Sequence, residues 1–135
     1  MKFPWVECGG GVTRPLLPVG FRKDGRVLGV DTLILVDTGA DGTMLPLSLA
    51  PVIGFAASEL KQATSSAIGG RVATWTAQTT NVRIEIGGHW LPLPTLSFAE
   101  ESPPLLGRDV IFANFDLLRM TANETELRLR KPGPR

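Results

Sequence analysis

The chain has 135 residues, 43% of them hydrophobic, and a formal net charge of +1 with both signs scattered along its length. That length suits one compact domain and is too short for two, and the apolar content is enough for a real core, which argues against disorder. No basic stripe marks a nucleic-acid partner, no stretch approaches the length of a membrane span, and a single cysteine, Cys8, leaves no intramolecular disulfide.

In chain order, Met1 to Glu7 lacks the apolar stretch a secretory signal needs, which with the lone cysteine points to a cytoplasmic domain. Gly9-Gly10-Gly11 reads as a flexible joint behind an N-terminal arm. Pro15 to Phe21 reads as a strand, Lys23-Asp24-Gly25 as a turn and Arg26 to Val30 as its return, because Asp-Gly between apolar runs favours a hairpin. Thr32 to Val36 is continuously apolar after its first residue and is expected to be a strand with no solvent face. Leu45 to Ile53 predicts one or two helical turns stopped by Gly54. Gly70 to Ile86 alternates most clearly at its end, with Val82, Ile84 and Ile86 on one side and Arg83 and Glu85 on the other. Gly87-Gly88 turns the chain into a return from Trp90 to Phe98, where Pro92 and Pro94 predict an edge or irregular strand. Asp109 to Phe115 predicts a helix with Asp109 capping or charge-complementing its first turn. Leu117 to Met120 and Leu127 to Leu129 frame a last hairpin, and Lys131 to Arg135 reads as a frayed tail.

One junction carries most of the chemistry. Asp37-Thr38-Gly39-Ala40 follows directly on Leu33-Ile34-Leu35-Val36. An apolar strand that delivers an acid into a tight glycine turn sets a carboxylate beside hydrophobic walls, a setting suited to acid–base work. Only one such turn occurs, so chemistry that needs two carboxylates must take the second from another copy of the chain.

Three further segments join this turn: Arg14-Pro15-Leu16-Leu17 ahead of it, and Ala67-Ile68-Gly69-Gly70 and Leu105-Leu106-Gly107-Arg108-Asp109 behind it. Together and in this order they resemble the retroviral-type (retropepsin-like) aspartic proteases, over roughly Arg14 to Phe115. The resemblance implies an all-β fold, a closed β-barrel or sandwich with one short C-terminal helix, acting as a C2 homodimer. Viral members end soon after the helix, whereas this chain adds a hairpin, as cellular and bacterial relatives do. The implied organisation is an N-terminal arm over 1–13, a protease domain over 14–130 and a flexible tail over 131–135.

The same resemblance assigns roles. Asp37 and its symmetry mate would activate a water against a peptide bond, with Thr38, Gly39 and Ala40 shaping the turn. Thr38 would bond across the dimer axis, and Gly39 would permit unusual backbone angles and close approach. Ile68, Gly69 and Gly70 would form a mobile flap tip over substrate. Leu35, Pro103, Pro104 and Leu105 would line apolar subsites. Arg108 would bridge Asp41, a partly buried carboxylate suited to a guanidinium fork, and Arg14 would reach the same acid on the partner. No cofactor or metal is required; the implied partners are a polypeptide substrate and a second copy, without nucleic acid or membrane.

Competing readings are weaker. One histidine, His89, and one cysteine give little support to Ser-His-Asp or Cys-His chemistry and none to a metal cluster. Asp41-Gly42-Thr43 is a phosphatase-like turn whose required first aspartate falls on Gly39. A calcium loop starting at Asp37 would need a glutamate where Ser48 stands. A catalytically weak peptide-binding or dimerisation module with the same fold is the alternative function, though such a module has no chemical need for Asp37, Thr38 and Gly39. A third reading is a fragment whose activity depends on fusion to a larger, self-processing protein.

Overall fold

The computed structural model describes residues 1–67, 70–78, 81–121 and 123–130. Strands dominate: β1 (Lys2–Pro4), β2 (Val6–Glu7), β3 (Thr13–Arg14), β4 (Leu16–Lys23), β5 (Arg26–Val36), β6 (Thr43–Pro46), β7 (Leu60–Ala67), β8 (Gly70–Ala77), β9 (Val82–Ile86), β10 (His89–Pro92), β11 (Leu96–Ala99), β12 (Leu105–Leu106), β13 (Phe115–Thr121) and β14 (Glu124–Leu129). Two short helices interrupt them, α1 (Ala50–Ile53) and α2 (Arg108–Asn114), with single 3-10 turns at Leu47–Leu49 and Ala57–Glu59. The resemblance implied one helix near the C-terminus; α1 is a second, ended by Gly54 in the left-handed region at φ 104°.

Tight turns build the hairpins. Asp24 and Gly25 have φ of 52° and 77°, and Gly87 and Gly88 have 58° and 82°. Consecutive left-handed residues are what a two-residue type I′ turn demands, and glycine adopts them without strain. The β4–β5 and β9–β10 pairs close on Lys23↔Arg26 and Ile86↔His89 respectively. Alternation then sorts the faces. Leu17, Val19 and Phe21 of β4 and Val82, Ile84 and Ile86 of β9 are all buried, and register brings Val19 to Ile86 and Phe21 to Ile84. With Ile34, Leu45, Ile53, Leu93, Leu96, Phe98, Leu106 and Phe115 they form one core. Phe55 meets Phe98 edge-on, with centroids 5.7 Å apart.

Nine strands share the main sheet in the order β10-β9-β4-β5-β12-β6-β11-β8-β7 among the described residues. The order departs from sequence at its centre. β12 lies parallel to β5 (Leu105↔Leu35, Leu106↔Val36) and antiparallel to β6 (Leu105↔Met44), so it separates two strands adjacent in the chain. β11 runs parallel to β6, with Phe98 opposite Leu45. A smaller sheet, β1-β14-β13, joins the two ends of the chain, and the N-terminal ammonium donates to the Leu127 carbonyl at 2.7 Å.

Several expectations change. Thr32, Ile34 and Val36 are buried, but Leu33 is 46% exposed; a strand turns alternate side chains to opposite faces, so an apolar run need not be buried on both. The return from Trp90 to Phe98 is two strands, β10 at the sheet edge and β11 deep within it, split at 93–95 because the two pair with different partners. Gly70 to Ile86 likewise divides into β8 and β9. Gly9, Gly10 and Gly11 all have positive φ and form the turn between paired β2 and β3, where a flexible joint was expected. The tail, 131–135, lies outside the described residues. No helix among the described residues is long and apolar enough to cross a membrane.

One polar cluster ties the β4–β5 turn to the 3-10 turn at Ala57–Glu59. Lys23 Nζ lies 3.1 Å from Asp24 Oδ2 and 3.2 Å from Glu59 Oε2, and sits over the Phe55 ring. The Ala56 N–H donates to Glu59 Oε1 at 2.9 Å. That backbone bond first, and Lys23 second, hold the Glu59 carboxyl below its ordinary value of 4.5. A depressed folded-state value means the stabilisation is present above pH 4.5 and fades as pH falls through the lower folded value. Glu59→Gln is therefore expected to be less stable than wild type at pH 7, with the gap closing on acidification below that point. Urea midpoints of both proteins across a pH series check this; a gap that stays constant refutes it.

Candidate active site

The parallel β5–β12 pair delivers Asp37. The Leu35 N–H donates to the Pro104 carbonyl at 2.9 Å, the Asp37 N–H to Leu106 at 3.0 Å, and the Val36 N–H to Pro15 at 3.0 Å. The residues leading into the turn are thus held from both sides. Beyond them the chain satisfies its own polar groups. Asp37 Oδ1 accepts the Gly39 N–H at 3.0 Å, and the Asp37 carbonyl accepts the Ala40 N–H at 3.2 Å. The Ala40 carbonyl accepts the Arg108 N–H at 2.9 Å, sewing the turn to the start of α2. Asp37 and Ala40 are half-buried, whereas Thr38 and Gly39 are exposed at the tip. One carboxylate oxygen of Asp37 is thereby oriented by backbone.

Gly39 does not adopt positive φ, contrary to expectation. Its smallness matters for space instead, since a Cβ there would stand 3.3 Å from Asp37 Oδ1. Two other glycines bear a stronger constraint, and the sequence reading passed over both. A Cβ on Gly107 would lie 2.5 Å from the backbone carbon and oxygen of Gly42, and one on Gly42 would lie 2.6 Å from Thr95 Oγ1. The backbones of the turn and of the α2 entrance touch directly.

A polar network, buried at Thr43 and exposed at Thr95, locks that contact. Thr43, 1% exposed, accepts the Gly107 N–H at 3.3 Å and donates to Asp109 Oδ1 at 3.3 Å. Thr95 donates to Asp109 Oδ2 at 2.6 Å. Asp109 was expected to cap or charge-complement the first turn of α2; the N-cap is Gly107, and the carboxylate joins two threonines from separate segments. Its place in the first helical turn also complements the helix dipole. The signal available for Thr43 was a threonine six residues past the aspartate on a strand start; nothing in the sequence marked Thr95.

The remaining residues fall around this frame. Arg108 Nη2 pairs with Asp41 Oδ1, joining the turn to α2 a second time. The pair is not partly buried as expected: the side chains are 48% and 91% exposed, a setting in which an ion pair contributes about 0–1 kcal/mol. Arg14 is exposed on β3, its Cα paired with Val6. Leu35 and Leu105 are cross-strand partners facing away from the core, and register extends their row to Leu16 on one side and Met44 on the other. Leu16 and Met44 were not singled out in sequence, although alternation between buried Thr43 and Leu45 places Met44 on the outer face. Pro104 lends its carbonyl to Leu35 and is half-buried, while Pro103 is exposed. β7 and β8 form a hairpin ending on Ala67↔Gly70; Ile68 and Gly69 lie outside the described residues. Among the described residues no group of three or more His, Cys, Asp and Glu is placed to hold a metal ion.

A family model described as aspartyl protease matches residues 24–110, from the β4–β5 turn to the first residues of α2. That span contains the Asp37 turn, β12 and the Gly107–Asp109 entrance. The chain belongs to the retropepsin-like aspartyl protease family. A separate comparison with curated proteins found no match to the chain.

Gly107→Ala is expected to push the α2 entrance off the turn, because the obstacle is backbone and cannot rotate away. Overpacking of this kind costs about 1–3 kcal/mol. Chemical denaturation measures the loss, and a variant as stable as wild type refutes the contact.

Proposed function

We propose that the chain is an aspartic endopeptidase that works as a C2 homodimer, its main sheet closed about the core as a retropepsin-like barrel. The observation that carries this reading is Asp37 itself: a half-buried carboxylate held at the end of a hydrogen-bonded parallel strand pair, with one oxygen fixed by the Gly39 N–H. Family membership supports the reaction class.

Two such carboxylates facing each other across a twofold axis cannot both ionise cheaply, so the pair shares one proton. The ionised member takes a proton from a water lying between them. The water oxygen attacks the scissile carbonyl carbon while the protonated member donates to the carbonyl oxygen. In the second half the tetrahedral carbon expels the amine: the C–N bond breaks, the nitrogen gains a proton from one carboxyl, and a hydroxyl proton returns to the other. Nothing covalent links substrate to enzyme. In this reading the exposed Thr38 of each copy bonds across the axis, and Arg14 approaches Asp41 of the second copy.

The row Leu16, Leu35, Leu105 and Met44 beside the turn favours apolar side chains next to the scissile bond. The β7–β8 hairpin acts as the flap, covering substrate with backbone groups near Gly70.

Asp37→Asn is expected to lower peptide cleavage by at least about 10²–10⁴-fold, the range for loss of an acid–base group, while circular dichroism and sedimentation stay unchanged. The amide keeps an oxygen for the Gly39 N–H but cannot exchange the proton. Turnover equal to wild type ends the protease reading.

Assembly has its own signature. Specific activity is expected to fall on dilution, because separated copies each hold half a site. Sedimentation over the same concentrations should show the dimer dissociating in step. Constant specific activity from a species that sediments as a monomer rules the dimer out.

A further inference from the structure

Far from the Asp37 turn, two arginines stand directly opposite each other on the outward face of the β4–β9 ladder. Arg22 and Arg83 are register partners, flanked by the buried pair Phe21 and Ile84. Like charges directly opposite on neighbouring strands destabilise a sheet. Among the described residues neither guanidinium forms an ion pair with a carboxylate. The nearest acid on this face by register is Glu85, one step along β9 opposite Gly20 and Trp90.

The arrangement is built rather than loose. The Arg22 guanidinium lies 4.7 Å from the centroid of the Trp90 ring, and a Cβ at Gly20 would stand 3.9 Å from the indole edge. Stacking fixes the plane of the fork while leaving its N–H edge free. Arg22, Arg83, Asn81, Asp24 and Gly25 line a surface concavity. Its floor is tied together by the Asp24 N–H, which donates to the Asn81 carbonyl at 3.0 Å. Among the described lining residues the one carboxylate, Asp24, is engaged by Lys23 at 3.1 Å, which offsets its charge.

We propose that this concavity binds a doubly charged tetrahedral oxyanion of the phosphate class, held between Arg22 and Arg83 with the Asn81 amide as a third donor. The chemistry selects the class. One guanidinium fork saturates both oxygens of a carboxylate, whereas two forks call for the additional oxygens and the second negative charge of a phosphate. The source is either free phosphate or a phosphoryl group on a peptide, and both present the same three oxygens.

The test is isothermal titration of the full chain with orthophosphate and, separately, with a short phosphoserine peptide, each against sodium acetate at matched ionic strength. Orthophosphate binding assigns the free anion; peptide binding without orthophosphate binding assigns the phosphorylated side chain. In Arg22→Gln, Arg83→Gln and the double variant, affinity is expected to drop by at least about tenfold, as for loss of a charged hydrogen-bond partner. A second readout separates binding from folding: without phosphate, Arg83→Gln should melt at or above the wild-type temperature, because a repulsion has been removed. Three results overturn the proposal: no heat from either ligand beyond acetate, acetate binding as tightly as phosphate, or affinity unchanged in the double variant.

Discussion

The two-residue strand β12 hydrogen-bonds on both edges at once, parallel to β5 and antiparallel to β6. This insertion governs the rest of the chain. Consecutive strands β5 and β6 would otherwise close as an ordinary hairpin; kept apart, they force residues 37–42 to arch over the end of β12. Backbone groups in such an arch have no ladder partners and must be satisfied locally. The Asp37 carboxylate, the Ala40 carbonyl and the Arg108 N–H do that, so the same bonds that close the loop also aim the acid. Because α2 begins two residues after β12, the helix entrance is carried against the arch; glycine at 107 allows that approach, and glycine at 42 leaves room for Thr95.

Rigidity at the turn does not come from the exposed ion pair. Asp41 and Arg108 meet in solvent, where such pairs contribute little. The buried work falls to Thr43, whose hydroxyl accepts from Gly107 and donates to Asp109, while Thr95 holds the other carboxylate oxygen from the exposed side. A polar network with its buried atoms satisfied specifies one arrangement, and among the described residues no buried side-chain nitrogen or oxygen lacks a partner. The sheet around it is apolar on both faces near the turn. Ile34 and Val36 enter the core, while Leu33 and Leu35 face outward beside Leu16, Leu105 and Met44. An antiparallel sheet often turns polar residues outward, so an apolar outer row next to an oriented acid sets this face apart.

Short-range features were legible in the sequence. The Asp24-Gly25 and Gly87-Gly88 turns, α2, the last hairpin and the stop at Gly54 each follow from residues within a few positions of one another. The Asp37 turn was legible for the same reason, since strand and glycine turn are contiguous. What was not legible depends on partners distant in the chain. The break between β10 and β11 arises because one pairs with β9 and the other with β6 and β8. The exposure of Leu33 depends on which face of β5 the core occupies, and Asp109 found Thr43 and Thr95 at separations no local pattern encodes.

By itself, then, the amino-acid order determined a predominantly β chain with one acid presented by an apolar strand, because period, turn chemistry and charge act over neighbouring residues. Tertiary structure alone decided that β12 would part β5 from β6, that Gly107 would press on Gly42, and that three side chains from three segments would brace the turn. Those choices rest on packing and hydrogen-bond satisfaction between remote segments, which exist only once the chain has closed on itself.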